Sequence, residues 1–394
     1  MMLTGVATSQ SVVNNTQTQT SPVTTSQTLN VVDASGATTG VTDSTGNSLT
    51  GAVTSGSLSI TSTQSLTADV TSNSTLNVVT SAGPSTTLNT ATTGNTVDVE
   101  TVTGGGPVTG SLSQSVGAVN ILATNSISAS GAQTGSLSTG VQAIANSIGV
   151  ATDSSPVAVT TVQSSAAVVN AEDGGTLTYT PGVAALTASA VSNNLTGSGS
   201  GGASQTLNAT QTNTGTLTQA GEYAYFGNAQ APQTAATASD NNISLTGQSG
   251  ALTVVAKQSN GAYTQAETIL SSYEFGGAQA SAYAAGNSVL AANAGPYTSL
   301  DTTQTNTGGV VASSSFIGNN GYDATSSATA MGNAATGFAC SSCGGVISVN
   351  NSQISSGGVS ATSSIELSST SRSTTGTSTA VGNNATFYVS KPSS

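Results

Sequence analysis

An Asn behind a small residue recurs along this chain at a nearly constant interval, and no other feature limits the fold as strongly. The copies are Asn47, Asn95, Asn146, Asn193, Asn241, Asn287, Asn333 and Asn383, behind Gly, Ala or Ser except at Asp240-Asn241. Successive steps are 48, 51, 47, 48, 46, 46 and 50 residues. A second marker keeps step with the first: Gln64, Gln114, Gln163, Gln211, Gln258, Gln304 and Gln353 follow their Asn by 17 to 20 residues. A period of this size points to a repeat architecture, in which each unit stacks on its neighbour because it cannot bury a core alone.

Composition narrows the choice between order and disorder. The 394 residues carry 15 acids, three bases (Lys257, Arg372, Lys391) and no His or Trp, so charged residues make up only 5%, against about 25% in ordinary globular domains. Disorder combines low hydrophobicity with high net charge, whereas this chain is 36% hydrophobic. Leu58 and Ile60, Val97 and Val99, Val157 and Val159, Ile347 and Val349, and Ile365 and Leu367 alternate with polar or small residues, which puts one set of side chains on each face of a strand. The Ala-rich stretch at 278–285 is the one weak helix candidate.

The expected fold is all-β: an elongated β-solenoid, wound as a right-handed parallel β-helix. Copies of a strand in successive coils lie about 4.8 Å apart. Asn and Gln suit such stacking, because each amide donates to one copy and accepts from another, while stacked charges would repel. The repeat is read as two coils of about 24 residues, which predicts roughly sixteen coils and a rod near 80 Å long. Residues 1–41, with Thr16-Gln17-Thr18-Gln19-Thr20, are read as a polar lead-in or cap, and 42–394 as the repeat domain.

Several functions are disfavoured. A net charge of −12 gives no basic face for nucleic acid or anionic lipid, and no run reaches the roughly 18 apolar residues of a membrane helix. The first residues lack the basic and apolar segments of a secretory leader, yet the body reads as extracellular. Cys340-Ser341-Ser342-Cys343 is the only cysteine pair; at a surface it favours a small-loop disulfide over redox chemistry, and zinc would need two further ligands. Asp98 with Glu100, and Glu172 with Asp173, are the only close acid pairs. Asp98 and Glu100 would share a strand face, and Glu172-Asp173-Gly174-Gly175 reads as a turn. Neither pair recurs with the repeat, and without His a Ser triad is excluded. No catalytic residue, cofactor or metal is expected. All fourteen aromatics fall at or after Tyr179, most densely at Tyr223, Tyr225 and Phe226. These three are either fillers of a wider core or an exposed platform for stacking on sugar rings.

Ser327-Ala328-Thr329-Ala330-Met331-Gly332-Asn333, with Ser378–Asn383 and Thr90–Asn95, resembles the TATxGN units of the holdfast-anchor protein D (HfaD) family. So do Thr303–Asn306, Ala209–Asn213 and the Gln-Thr-Leu-Asn strings at Gln27–Asn30 and Gln205–Asn208. The resemblance implies a secreted protein at the outer surface of the cell pole, fixing adhesive holdfast polysaccharide to the envelope with partner anchor proteins. The expected function is therefore a non-enzymatic surface anchor binding polysaccharide and envelope proteins, with a homo-oligomer compatible with an uncapped solenoid edge. A polysaccharide-cleaving β-helix enzyme is the alternative. A curli-like amyloid or autotransporter-type subunit ranks third.

Overall fold

The computed structural model describes residues 10–102, 104–340, 344–369 and 371–390, and its secondary structure is strand and turn without a helix. The described residues wind through eight coils of three walls each. The first coil is β1 (Gln10–Gln19), β2 (Val23–Asp33) and β3 (Thr38–Val53). The second is β4 (Gly56–Leu66), β5 (Val70–Ser81) and β6 (Thr86–Thr101), and the third is β7 (Gly105–Val116), β8 (Asn120–Gln133) and β9 (Leu137–Asp153). From the fourth to the seventh coil the second and third walls form one long bent strand. The pairs are β10 (Val157–Ser165) with β11 (Val168–Ser200), β12 (Gln205–Asn213) with β13 (Leu217–Gly247), β14 (Ala251–Asn260) with β15 (Tyr263–Asn293), and β16 (Tyr297–Asn306) with β17 (Val310–Cys340). The eighth coil separates again into β18 (Val346–Ser355), β19 (Val359–Leu367) and β20 (Ser373–Ser390). The Ala-rich stretch at 278–285 lies within β15, where all five alanines are buried and the residues between them face outward.

All pairings are parallel. The first walls make an eight-stranded sheet in the order β1-β4-β7-β10-β12-β14-β16-β18, and the other two walls make a second sheet of twelve strands. This is a parallel β-solenoid, but its coil is twice the expected size. Gln10 faces Ser57, Asn47 faces Asn95 and Asn241 faces Asn287, so one repeat is one coil and not two. The cause is wall length: the first coil's strands take 10, 11 and 16 residues, and three such walls consume the whole repeat. Eight coils at about 4.8 Å give a stack about 35 Å deep, not sixteen coils and 80 Å. The boundary expected at residue 41 also coincides with no break. β1 and β2 pair in register with β4 and β5, so the residues from Gln10 on already belong to the stack.

Strict alternation builds the interior, as in β10, where every second residue from Val157 to Ser165 is buried. Three apolar columns run along the rod. One gathers Leu66, Val70, Val116 and Ile121 with a run of alanines. Another gathers Leu58, Ile60, Val97, Ile148 and Leu207. The third holds Leu76, Leu88, Leu186, Phe226, Phe275 and Phe316. Each fully buried Leu or Ile contributes roughly 1.5–3 kcal/mol.

Corners are tighter than walls. A Cβ on Gly308 would lie 1.8 Å from the Ala262 carbonyl oxygen of the preceding coil, and one on Gly357 would lie 1.8 Å from the Gly308 oxygen. Gly308→Ala should therefore cost about 2 kcal/mol or more in urea unfolding, whereas Gly36→Ala, with nothing within 4 Å of the added carbon, should be near neutral. Equal effects at the two positions would refute the stacking constraint.

Candidate functional site

Two columns of side-chain amides run through the interior, on facing walls. From Asn47 to Asn333, each repeat Asn donates from Nδ2 to Oδ1 of the Asn in the next coil, at 2.7–2.9 Å, with Asn383 as the last acceptor. Each Gln donates the opposite way, from Nε2 to Oε1 in the preceding coil, at 2.7–3.0 Å, in the series Gln353, Gln304, Gln258, Gln211, Gln163, Gln114 and Gln64. The final acceptor is Gln17, a member that the Asn-anchored spacing missed because it precedes Asn47, the first repeat Asn.

The remaining amide protons tie one wall to the other. Asn47 donates to the Ser65 carbonyl and Asn241 to that of Ser259, each next to a ladder Gln. Gln64 donates to Thr96 and Gln258 to Ser288, each next to a ladder Asn. In the middle coils every amide hydrogen and oxygen thus finds a partner. The small residue before each Asn has a steric cause: two consecutive residues point inward there, and a Cβ on Gly46 or Gly94 would lie 2.5 Å from the carbonyl oxygen of the next coil.

Three acids are enclosed in the same interior. Asp173 and Glu222 are register partners on β11 and β13, both fully buried. The residues 172–175 are therefore strand and not a turn. Gly174 and Gly175 serve close stacking, because a Cβ on either would press on the Tyr223 or Ile127 carbonyl oxygen. Thr139 donates to Asp173, but neither carboxyl oxygen of Glu222 reaches a protein donor. Burial pushes Asp173 up to about 7. Burial first, and then the neighbouring Asp173, hold Glu222 well above the usual carboxylate range. Asp240 takes the small-residue position before Asn241; Asn213 donates to it at 2.6 Å and Thr264 also donates, yet burial raises it to about 7. Asp98 and Glu100 point outward from β6, on the face opposite buried Val97 and Val99.

The aromatic candidates divide by strand parity. Tyr225 is exposed and Tyr223 is half-buried, its hydroxyl donating to Glu267 at 3.1 Å. Phe226 points inward and belongs to the third apolar column, so it cannot stack on a sugar. The three therefore do not form one platform. A different set converges where the second wall bends into the third. Tyr179, Asn228, Glu274 and Asn320 occupy successive coils in register, and with Gln230 and Tyr322 they line a groove of about 640 Å³. Phe275, 5% exposed and edge-on to Phe316 at 4.9 Å, lies in its floor. At the far end Arg372 pairs with Asp323, its Nε 3.0 Å from Oδ1, and lies 5.8 Å from the centre of the Tyr322 ring.

A family model described as holdfast attachment protein D (HfaD) matches residues 32–309. The chain belongs to the HfaD family. The match takes in six of the eight ladder asparagines, from Asn47 to Asn287, and the glutamines from Gln64 to Gln304. Membership makes this a holdfast attachment protein, with adhesion as its role and the cell surface as its setting. No curated protein and no solved structure matches the chain. In this HfaD chain Cys340 ends β17 and is disulfide-bonded; Cys343 lies outside the described residues.

The groove was hidden from sequence reading because its residue types change from coil to coil. Aligning Tyr179, Asn228, Glu274 and Asn320 would have required knowing that one repeat is one coil.

Proposed function

We propose that this chain is a non-enzymatic tether at the outer cell surface, holding adhesive polysaccharide to the envelope together with other envelope anchor proteins. What carries this reading is the pair of continuous amide ladders in a member of an attachment family. They fix a stiff scaffold whose outward side chains repeat about every 4.8 Å along its axis. Many weak polar contacts on such a lattice become durable by multivalency, since each new contact forms at high effective concentration.

The placement of the acids favours tethering over polysaccharide cleavage. Asp173, Glu222 and Asp240 are sealed from any polymer. Asp98 and Glu100 share the outer face of one strand, but their register neighbours Thr50, Ala52, Gly149 and Ala151 add no further acid to them. The test is deletion in a bacterium that carries the protein, with lectin staining of cells and medium. Polysaccharide should move from the cell pole to the medium with its total amount unchanged. Undiminished retention on the cells would overturn the tether, and fragmentation of the polymer by purified protein would overturn the non-enzymatic reading.

A further inference from the structure

We infer that the groove at the bend between the second and third walls is a binding site for an uncharged oligosaccharide lying parallel to the rod axis. The proposal rests on the tether reading and names its ligand class and its site. Four groove residues come from four consecutive coils: Tyr179, Asn228, Glu274 and Asn320. Tyr322 and Arg372 carry the lining towards the last coil. With strands about 4.8 Å apart, five coils span roughly 19 Å. Successive rings of an extended, equatorially linked pyranose chain advance by nearly the strand spacing, so a tetrasaccharide would place about one ring over each step.

The chemistry along this path suits sugar. Tyr179 and Tyr322, 44% and 63% exposed, stand at opposite ends and offer ring faces to the CH-rich faces of pyranoses. Between them Asn228, Gln230 and Asn320 supply amide donors and acceptors, and Glu274 supplies a strong acceptor for hydroxyls. The floor stays flat because residue 321 is Gly: a Cβ there would strike the Phe275 ring at 2.5 Å. Gly321 thus leaves room for the Phe275 ring beneath the ligand path.

Charge selects among glycans. The chain carries −12 overall, and Glu274 is exposed within the groove. Arg372, the single arginine, has its guanidinium engaged by Asp323. Uronic or sulfated chains would meet a carboxylate with no cation left to balance them, whereas hydroxyl and N-acetyl groups meet amides. A peptide fits less well. The strands bordering the groove are already hydrogen-bonded to neighbours on both sides, so no edge is open for strand addition.

Calorimetric titration of the full chain with N-acetylglucosamine tetramer, cellotetraose and tetragalacturonate tests this. One or both neutral tetramers should bind, and the acidic one should bind at least ten-fold more weakly. Tyr179→Ala with Tyr322→Ala, both exposed and outside the apolar columns, should weaken binding at least ten-fold without lowering the melting temperature. Glu274→Gln should narrow the gap between neutral and acidic tetramers. Equal binding by wild type and the double variant would overturn the groove and leave the tether intact, as would preference for the acidic tetramer or for an extended peptide. Wild-type protein that binds no tetramer would overturn the groove, with the deletion experiment still deciding the tether.

Discussion

Asn241→Leu should weaken the middle of the rod by about 2–6 kcal/mol, as the buried amides of Asn193 and Asn287 each lose a partner at roughly 1–3 kcal/mol apiece. Asn241 gives its amide protons to Asn287 Oδ1 and the Ser259 carbonyl, at 2.8 and 3.0 Å, and takes one from Asn193. Leucine has nearly the same shape but offers no partner to any of them. The same change at Asn383, which is exposed and only accepts from Asn333, should cost under about 1 kcal/mol. Solenoids open locally, because each coil contacts only its neighbours. Amide hydrogen exchange is therefore the best measurement, with protection falling in the fourth to sixth coils and little changed at the ends. If both substitutions proved equally mild, the ladders would not be what holds successive coils in register.

Raising the pH from 4 to 8 should destabilise the rod, the reverse of ordinary acid denaturation. Asp173 and Asp240 sit near 7 in the fold against an ordinary value of 3.8. Between those values the folded chain keeps protons that the unfolded chain has released. Stability is then full below about pH 4, falls as pH approaches 7, and levels off above. Three units correspond to a loss on the order of 4 kcal/mol per site, and Glu222 acts in the same direction. Asp173→Asn is the informative variant: its amide oxygen can still accept from Thr139, and its NH2 faces Glu222 without a charge. It should be more stable than wild type at pH 8, with a shallower slope in denaturant midpoint against pH. A variant as pH-sensitive as the parent would show that Asp173 does not contribute to the profile.

How much of this was legible depended on whether a feature repeats. The ladder asparagines and glutamines share one chemical requirement in every coil, so their types recur and spacing alone finds them. Coil size is not legible because a 48-residue repeat is long for one coil and reads as two of about 24, whereas three walls as long as 10, 11 and 16 residues take it up in a single turn. Gln17 satisfies the same ladder but lies ahead of Asn47, in a polar stretch with little apolar content that reads as a lead-in. Phe226 followed Tyr225 in sequence and was grouped with it, although alternation sends neighbours to opposite faces. Gly174 and Gly175 imitated a turn. In a strand, such glycines mark close backbone approach, and here they accompany the buried Asp173. The groove had no recurring residue type at all, so only three-dimensional register could assemble it.

The opposed directions of the two ladders have an electrical consequence. Aligned peptide units give a helix a net dipole that leaves partial charges at its ends. Here one row of side-chain amides points its donors towards the C-terminal coils and the other towards the N-terminal coils, so their fields largely cancel within each coil. Lengthening such a protein by whole repeats would add ladder rungs without accumulating a voltage from them along the axis.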